Sequence, residues 1–206
     1  MIGTYENSAK ADGGISIGVF CGARRGPSPA GLRIARRVGQ LLGDRGHRLV
    51  YGAGGIGMMG EVAHAASRAG APITGVVPRF LYERERNDAA PPQDTVLTDG
   101  LQDRKQIMID TADAFLALPG GYGTVDEVFD VIGMSYLGLV DKPLVLLDID
   151  GFWRHFIDLT EQLHGQGFAD QGLGSIFHLA RSPLEAMELL ESPSGVAADP
   201  LLAVAV

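Results

Sequence analysis

Residues 119–127 read PGGYGTVDE and bring three glycines, a threonine and an acidic pair together. Glycine lets the backbone take positive φ or come close to a ligand. Thr124 stands where a helix N-cap is expected. Unpaired N–H groups and the positive end of a helix dipole favour an anion there, most often a phosphate. Gly120, Gly121, Tyr122, Gly123 and Thr124 are therefore the expected anion cradle; the plainer alternative is a glycine-rich turn with a threonine cap. Asp126 and Glu127 are expected in the first helical turn, where acids commonly complement the dipole. Neighbours on a helix point about 100° apart, so one can face a ligand while the other packs or caps. A carboxylate beside a bound sugar phosphate can stabilise an oxocarbenium-like transition state, the logic of glycosidases.

Upstream, DRK (103–105) supplies Arg104 and Lys105. Arginine suits bidentate contact with phosphate or carboxylate; the plainer reading is a solvated helix face. The motif is neither a Walker A loop, which needs GK[ST], nor the dinucleotide fingerprint, which opens the first strand–helix turn. GAGGIG (52–57) resembles that fingerprint only in spacing, and reads equally as a structural turn or a ligand contact. The five histidines show no metal-ligand spacing, and Cys21 reads as a small core residue, so no metal site is expected.

The elements that must hold these residues follow from periodicity. Short apolar strands are expected at 15–21, 47–52, 72–78, 95–99, 114–119, 143–149 and 175–180. Helices are expected at 30–43, 58–70, 101–112, 125–139, 151–166 and after Pro183, with a loop and one helical turn over 79–94. Strands alternating with amphipathic helices imply an α/β fold, a doubly wound parallel sheet in a single domain over 14–191. Ligands bind such sheets at the carboxyl ends of the strands, where the glycine loops after residues 21, 51 and 118 all emerge. Residues 1–13 and 192–206 read as flexible ends.

Bulk properties narrow the function. A chain of 206 residues with 46% apolar and 20% charged residues suits one ordinary domain. The net charge of −8 disfavours nucleic-acid backbone and anionic membrane surfaces as partners. One cysteine fits a reducing compartment. No apolar run approaches the ~18 residues of a membrane span, and 1–13 carries no signal-peptide pattern. A cytoplasmic location is expected.

PGGYGTVDE also resembles the PGGxGTxxE motif of the LOG family of cytokinin riboside 5′-monophosphate phosphoribohydrolases. The resemblance covers about 15–190, through VFCGA, LVYGAGGIGMMGEVAHAA, GVVP, DRKQIM, ADAFLALPGGYGTVDE and LGLVDKPLVLLDIDGF. It implies a Rossmann-like fold and hydrolysis of the N-glycosidic bond of a nucleoside 5′-monophosphate. The products would be free base and ribose 5-phosphate, with no metal or organic cofactor. By position it implies Glu127 as catalytic carboxylate and Arg104 as catalytic arginine. Lys105, Gly120, Gly121, Gly123, Thr124 and Asp126 match substrate-contacting positions, and Glu85 aligns with a substrate-binding glutamate. A homodimer is implied, with helices 101–112 and 125–139 apolar enough for the interface. This chain departs from the family at LQDRK (101–105), GMSYLG (133–138) and CGAR (21–24), which touches the base pocket rather than the hydrolytic core. The alternatives are a related nucleotide glycosidase or deoxyribosyltransferase, or a non-catalytic nucleotide or molybdenum-cofactor carrier.

Overall fold

The computed structural model describes residues 13–85, 89–169 and 176–192, so nearly all of both expected flexible ends lies outside it. Strands β1 (Ser16–Phe20), β2 (Arg48–Tyr51), β3 (Ile73–Pro78), β4 (Asp94–Thr98), β5 (Ala114–Ala117), β6 (Leu144–Leu147) and β7 (His178–Ala180) form one parallel sheet. Its order is β4-β3-β2-β1-β5-β6-β7. β1, β2, β5 and β6 are buried along their whole length, which is why they read as unbroken apolar runs rather than alternating ones.

Helices α1 (Pro29–Asp44), α2 (Gly57–Arg68) and α7 (Pro183–Glu191) cover one face through Ala35, Val38, Leu42, Val62, Ala66 and Met187. Helices α4 (Leu101–Thr111), α5 (Tyr122–Tyr136) and α6 (Arg154–Gly165) lie over the other, around Met108, Val128, Val131 and the buried Trp153. Ser28 and Ser182 cap α1 and α7, each followed by proline at the first helical position. Helix α3 (Arg79–Glu85) is longer than the single turn expected in 79–94. The last strand is shorter than the expected 175–180.

The chain enters the sheet at its middle, walks outward from β1 to β4, then returns to place β5 against the other side of β1. The strand order reverses between β1 and β5, and that is where such a sheet opens a ligand crevice. Backbone contacts tie the adjoining loops together there. Gly22 donates its N–H to the Pro119 carbonyl at 3.1 Å, and its own carbonyl accepts from the Met58 and Met59 amides at 3.1 and 3.2 Å. Among the described residues no helix is long and apolar enough to cross a membrane.

Candidate active site

Helix α5 starts at Tyr122, three residues before the expected 125. Its N-cap is Gly121, which makes no side-chain capping bond, so the expected cap at Thr124 is corrected. Thr124 is the third helical residue and is buried, and its hydroxyl fills the space that a Cβ on Gly120 would need. The tight turn before the helix consumes Thr124's volume in place of a cap. Asp126 and Glu127 consequently sit in the second turn, and the first turn holds no acid, so neither serves the dipole as expected. The amides of Tyr122 and Gly123 meet no acceptor among the described residues. Gly121 and Gly123 have open space beside them, and Tyr122 is 98% exposed. Those N–H groups remain available to an anion at the switch point.

One α5 turn deeper, Glu127 is only 9% exposed. Arg104 of α4 reaches across and donates from Nη2 to Glu127 Oε1 at 3.0 Å. Burial pushes the Glu127 carboxyl up to about 7. Arg104 and Lys105 pull it down, while Asp126 and Asp130 push it further up. A carboxyl that titrates near neutrality can hold or release a proton at working pH. The Arg104 side chain is 15% exposed, and its Nε is buried with no hydrogen-bond partner. That unspent donor sits beside the ionisable carboxyl.

Gly52 makes room for this arginine. A Cβ there would collide with Arg104 Nη2. The following residue, Ala53, is buried with φ of 61°, a conformation that costs a non-glycine residue free energy. The loop after β2 is thereby folded tightly under the guanidinium.

Lys105 lies on α4 beside Arg104 but faces two other carboxylates: Asp126 Oδ2 at 2.9 Å and Asp130 Oδ2 at 2.6 Å. Its burial alone would lower the ammonium's pKa; the hydrogen bonds it donates to Asp130 and Asp126, with their charges, outweigh that and raise it. The structure thus separates the two acids of the motif. Glu127 points to Arg104 and the crevice, Asp126 to Lys105. Asp130 escaped the sequence reading, although carboxylates four apart on one helix face were a usable sign of a shared cation. Gly52 carried no such sign, since its partner lies far along the chain.

Cys21, the residue after β1, is a buried, free thiol in the core, as expected. Burial, with the Glu127 charge nearby, pushes it far above the ordinary thiol range, which leaves it inert as a nucleophile. Glu85 closes α3, and its side chain lies outside the described residues. Among the described residues no group of three or more His, Cys, Asp or Glu gathers to hold a metal ion.

Comparison with known proteins agrees with this architecture. The family described as "Possible lysine decarboxylase" matches residues 59–190. The cytokinin riboside 5′-monophosphate phosphoribohydrolase LOG of Oryza sativa subsp. japonica is 38% identical over 175 residues, covering 85% of this chain and 72% of its own. The cytokinin riboside 5′-monophosphate phosphoribohydrolase of Mycobacterium tuberculosis is 43% identical over 161 residues, covering 77% of this chain and 83% of its own. Among solved structures, the molybdenum cofactor binding protein of Rippkaea orientalis superposes with a TM-score of 0.64 at 24% identity, over 86% of this chain and 96% of that one. At that identity the likeness speaks for the fold alone.

Proposed function

The chain belongs to the LOG family of cytokinin riboside 5′-monophosphate phosphoribohydrolases, and from that membership we propose how its site works. It is a hydrolase acting on N-glycosyl bonds: it splits a nucleoside 5′-monophosphate into free base and ribose 5-phosphate. The observation that carries the mechanism is the buried Arg104–Glu127 pair beside the open first turn of α5.

In this reading the 5′-phosphate docks in the 120–124 turn, on the free amides of Tyr122 and Gly123 at the positive end of α5. The ribose then lies over Glu127. As the bond from C1′ to the base nitrogen lengthens, the sugar gains oxocarbenium character, and the ionised Glu127 stabilises that charge. Glu127 takes a proton from the water that adds to C1′; the base leaves with the bonding pair and takes up a proton from solvent, and Glu127 returns its own proton to solvent, which resets the site. Arg104 keeps Glu127 oriented through the Nη2 hydrogen bond and pulls its carboxyl down against the effect of burial. Lys105 holds Asp126 and Asp130, which limits the negative charge felt by Glu127. The enzyme's substrate is an AMP-type nucleotide. We place it in the cytoplasm as a homodimer; the lone buried cysteine and the exposed Leu101, Tyr122, Leu137 and Leu139 on α4, α5 and the turn after it support this.

Glu127→Gln tests the assignment. Turnover of AMP or isopentenyladenosine monophosphate, followed as released base, should fall about 10³-fold or more, equivalent to about 4 kcal/mol. Nucleotide binding by calorimetry should persist. Full activity in this variant would remove Glu127 from the chemistry. Binding without base release in the wild-type chain would favour a carrier.

A further inference from the structure

The catalytic pair lies on the α4/α5 face of the sheet. On the α1/α2 face, at the same edge, lies a separate hollow of about 480 Å³, open to solvent. Gly55, Ile56 and Gly57 form its floor, with Gly60, Glu61, His64 and Arg68 of α2, Arg36 of α1, and Arg25 of the loop after β1. Positions 57, 60, 61, 64 and 68 recur at helical spacing, so they form one stripe of α2. Gly60 is the buried member of that stripe; the core takes Met58, Val62, Ala63, Ala65 and Ala66, and the side chains of Glu61, His64 and Arg68 lie outside it. The backbone of Ala23 and Gly55 packs against Gly57 and Gly60 at the base of the stripe, and His64 and Arg68 stand over the turns that follow.

The charge of the hollow is positive, in a chain whose net charge is −8. Its one carboxylate, Glu61, is spent on Arg36, which donates to Glu61 Oε2 from Nε at 3.1 Å and Nη2 at 2.9 Å. Arg25, His64 and Arg68 have no acid partner among the described residues. The helix N-terminus is not the recognising element: the Met58 and Met59 amides already bond the Gly22 carbonyl, and the Gly60 amide bonds Ile56. Recognition falls to the guanidinium groups, which pair with phosphate through forked N–H donors. Gly57 lies against the backbone of Ala23 and Arg24, which puts Arg25 near the start of α2, whereas Arg68 lies about 16 Å further along the helix, so the two arginines stand towards opposite ends of the hollow.

We propose that this hollow is a second binding site, for a linear oligophosphate of two or three phosphates, either free or carried on a nucleoside. A lone phosphate is too short to span it. Two or three linked phosphates set a negative charge within reach of Arg25 at one end and of His64 and Arg68 at the other. The site is independent of the hydrolytic reading, since no residue of the Arg104–Glu127 centre lines it.

Isothermal titration of the full chain with inorganic tripolyphosphate tests the proposal. The wild-type protein should bind, and Arg25→Ala/Arg68→Ala should weaken binding tenfold or more. Arg25→Lys/Arg68→Lys should recover part of the loss, because charge is kept while the fork is lost. Both arginines are exposed, so the variants should keep the wild-type thermal midpoint and unchanged hydrolysis of a nucleoside monophosphate. A parallel titration with ATP separates the two sources: tighter binding than tripolyphosphate assigns the site to a nucleoside-borne chain, equal binding to the free anion. Unchanged tripolyphosphate affinity in the double alanine variant, or no binding by the wild type, would overturn the proposal. So would competition between tripolyphosphate and the nucleotide substrate that raises its KM equally in both proteins.

Discussion

Two glycine loops leave the strands that flank β1 on either side, and they use glycine for opposite ends. In the loop after β2 the missing side chains are replaced by protein. Arg104 occupies the room beside Gly52, Met59 that beside Gly54, the backbone of Ala89 and Ala90 that beside Gly55, and the Ala23 carbonyl that beside Gly57. In the loop after β5, Thr124 fills the space at Gly120, but the space beside Gly121 and Gly123 is empty. One loop is closed by its own neighbours; the other is left open at a helix start with unspent amides. A run of glycines in the sequence does not distinguish the two, whereas the volume next to each Cα does.

The largest test of that contrast is Gly57→Ala. The new methyl would meet backbone, and φ is +65°, so no flexible group can yield. Stability should fall by about 2–3 kcal/mol, read from denaturant midpoints. Gly52→Ala should be smaller in stability, about 1 kcal/mol, because the obstructing atom is the end of an arginine side chain that can swing aside. Its effect on catalysis should be the greater one, about 100-fold in kcat/KM, as expected when a catalytic group is misplaced by ~1 Å. The pH profile sharpens this. Glu127 acts ionised and titrates at about 7, so wild-type kcat/KM should decline about tenfold per unit below that pH. Arg104 pulls that carboxyl down, so displacing it with Gly52→Ala should move the acid limb to higher pH. An unmoved limb would mean that Gly52 does not seat Arg104. Smallest is Gly123→Ala in the open loop. The helix should gain about 0.5 kcal/mol in thermal melts, while KM for nucleotide rises about tenfold, ~1.4 kcal/mol. An unchanged KM would show that the open space is not used by substrate.

The parallel sheet was legible because each buried strand is a short apolar block followed by an amphipathic helix. Its order was not, because nothing local in AFLA says that it pairs with the first strand. The start of α5 was misread because Gly-Tyr-Gly has poor helix propensity; first-turn residues need few internal bonds, and the turn into the helix tolerates glycine. The error at Thr124 followed, since a threonine beside glycine reads as a cap until Gly120 is seen to need its hydroxyl close by. The roles of Arg104 and Glu127 came through family resemblance. Their facing geometry, the seat at Gly52 and the second carboxylate on Lys105 depend on contacts between distant segments, which no local pattern encodes.

Gly22 links the loops of three strands through one peptide unit on either side, and at the other end of β1 the Asp113 carboxylate accepts the Ser16 N–H across 97 positions of chain. The reaction centre therefore depends on the most costly loop closure in this part of the sheet. Contacts of such separation form slowly, because chain entropy is lost before they reward it. The β1–β2–β3 segment can pair through nearer connections, while the crevice waits for β5. In a refolding experiment, recovery of activity should lag recovery of helical signal, and the interval would time the docking of β5 against β1.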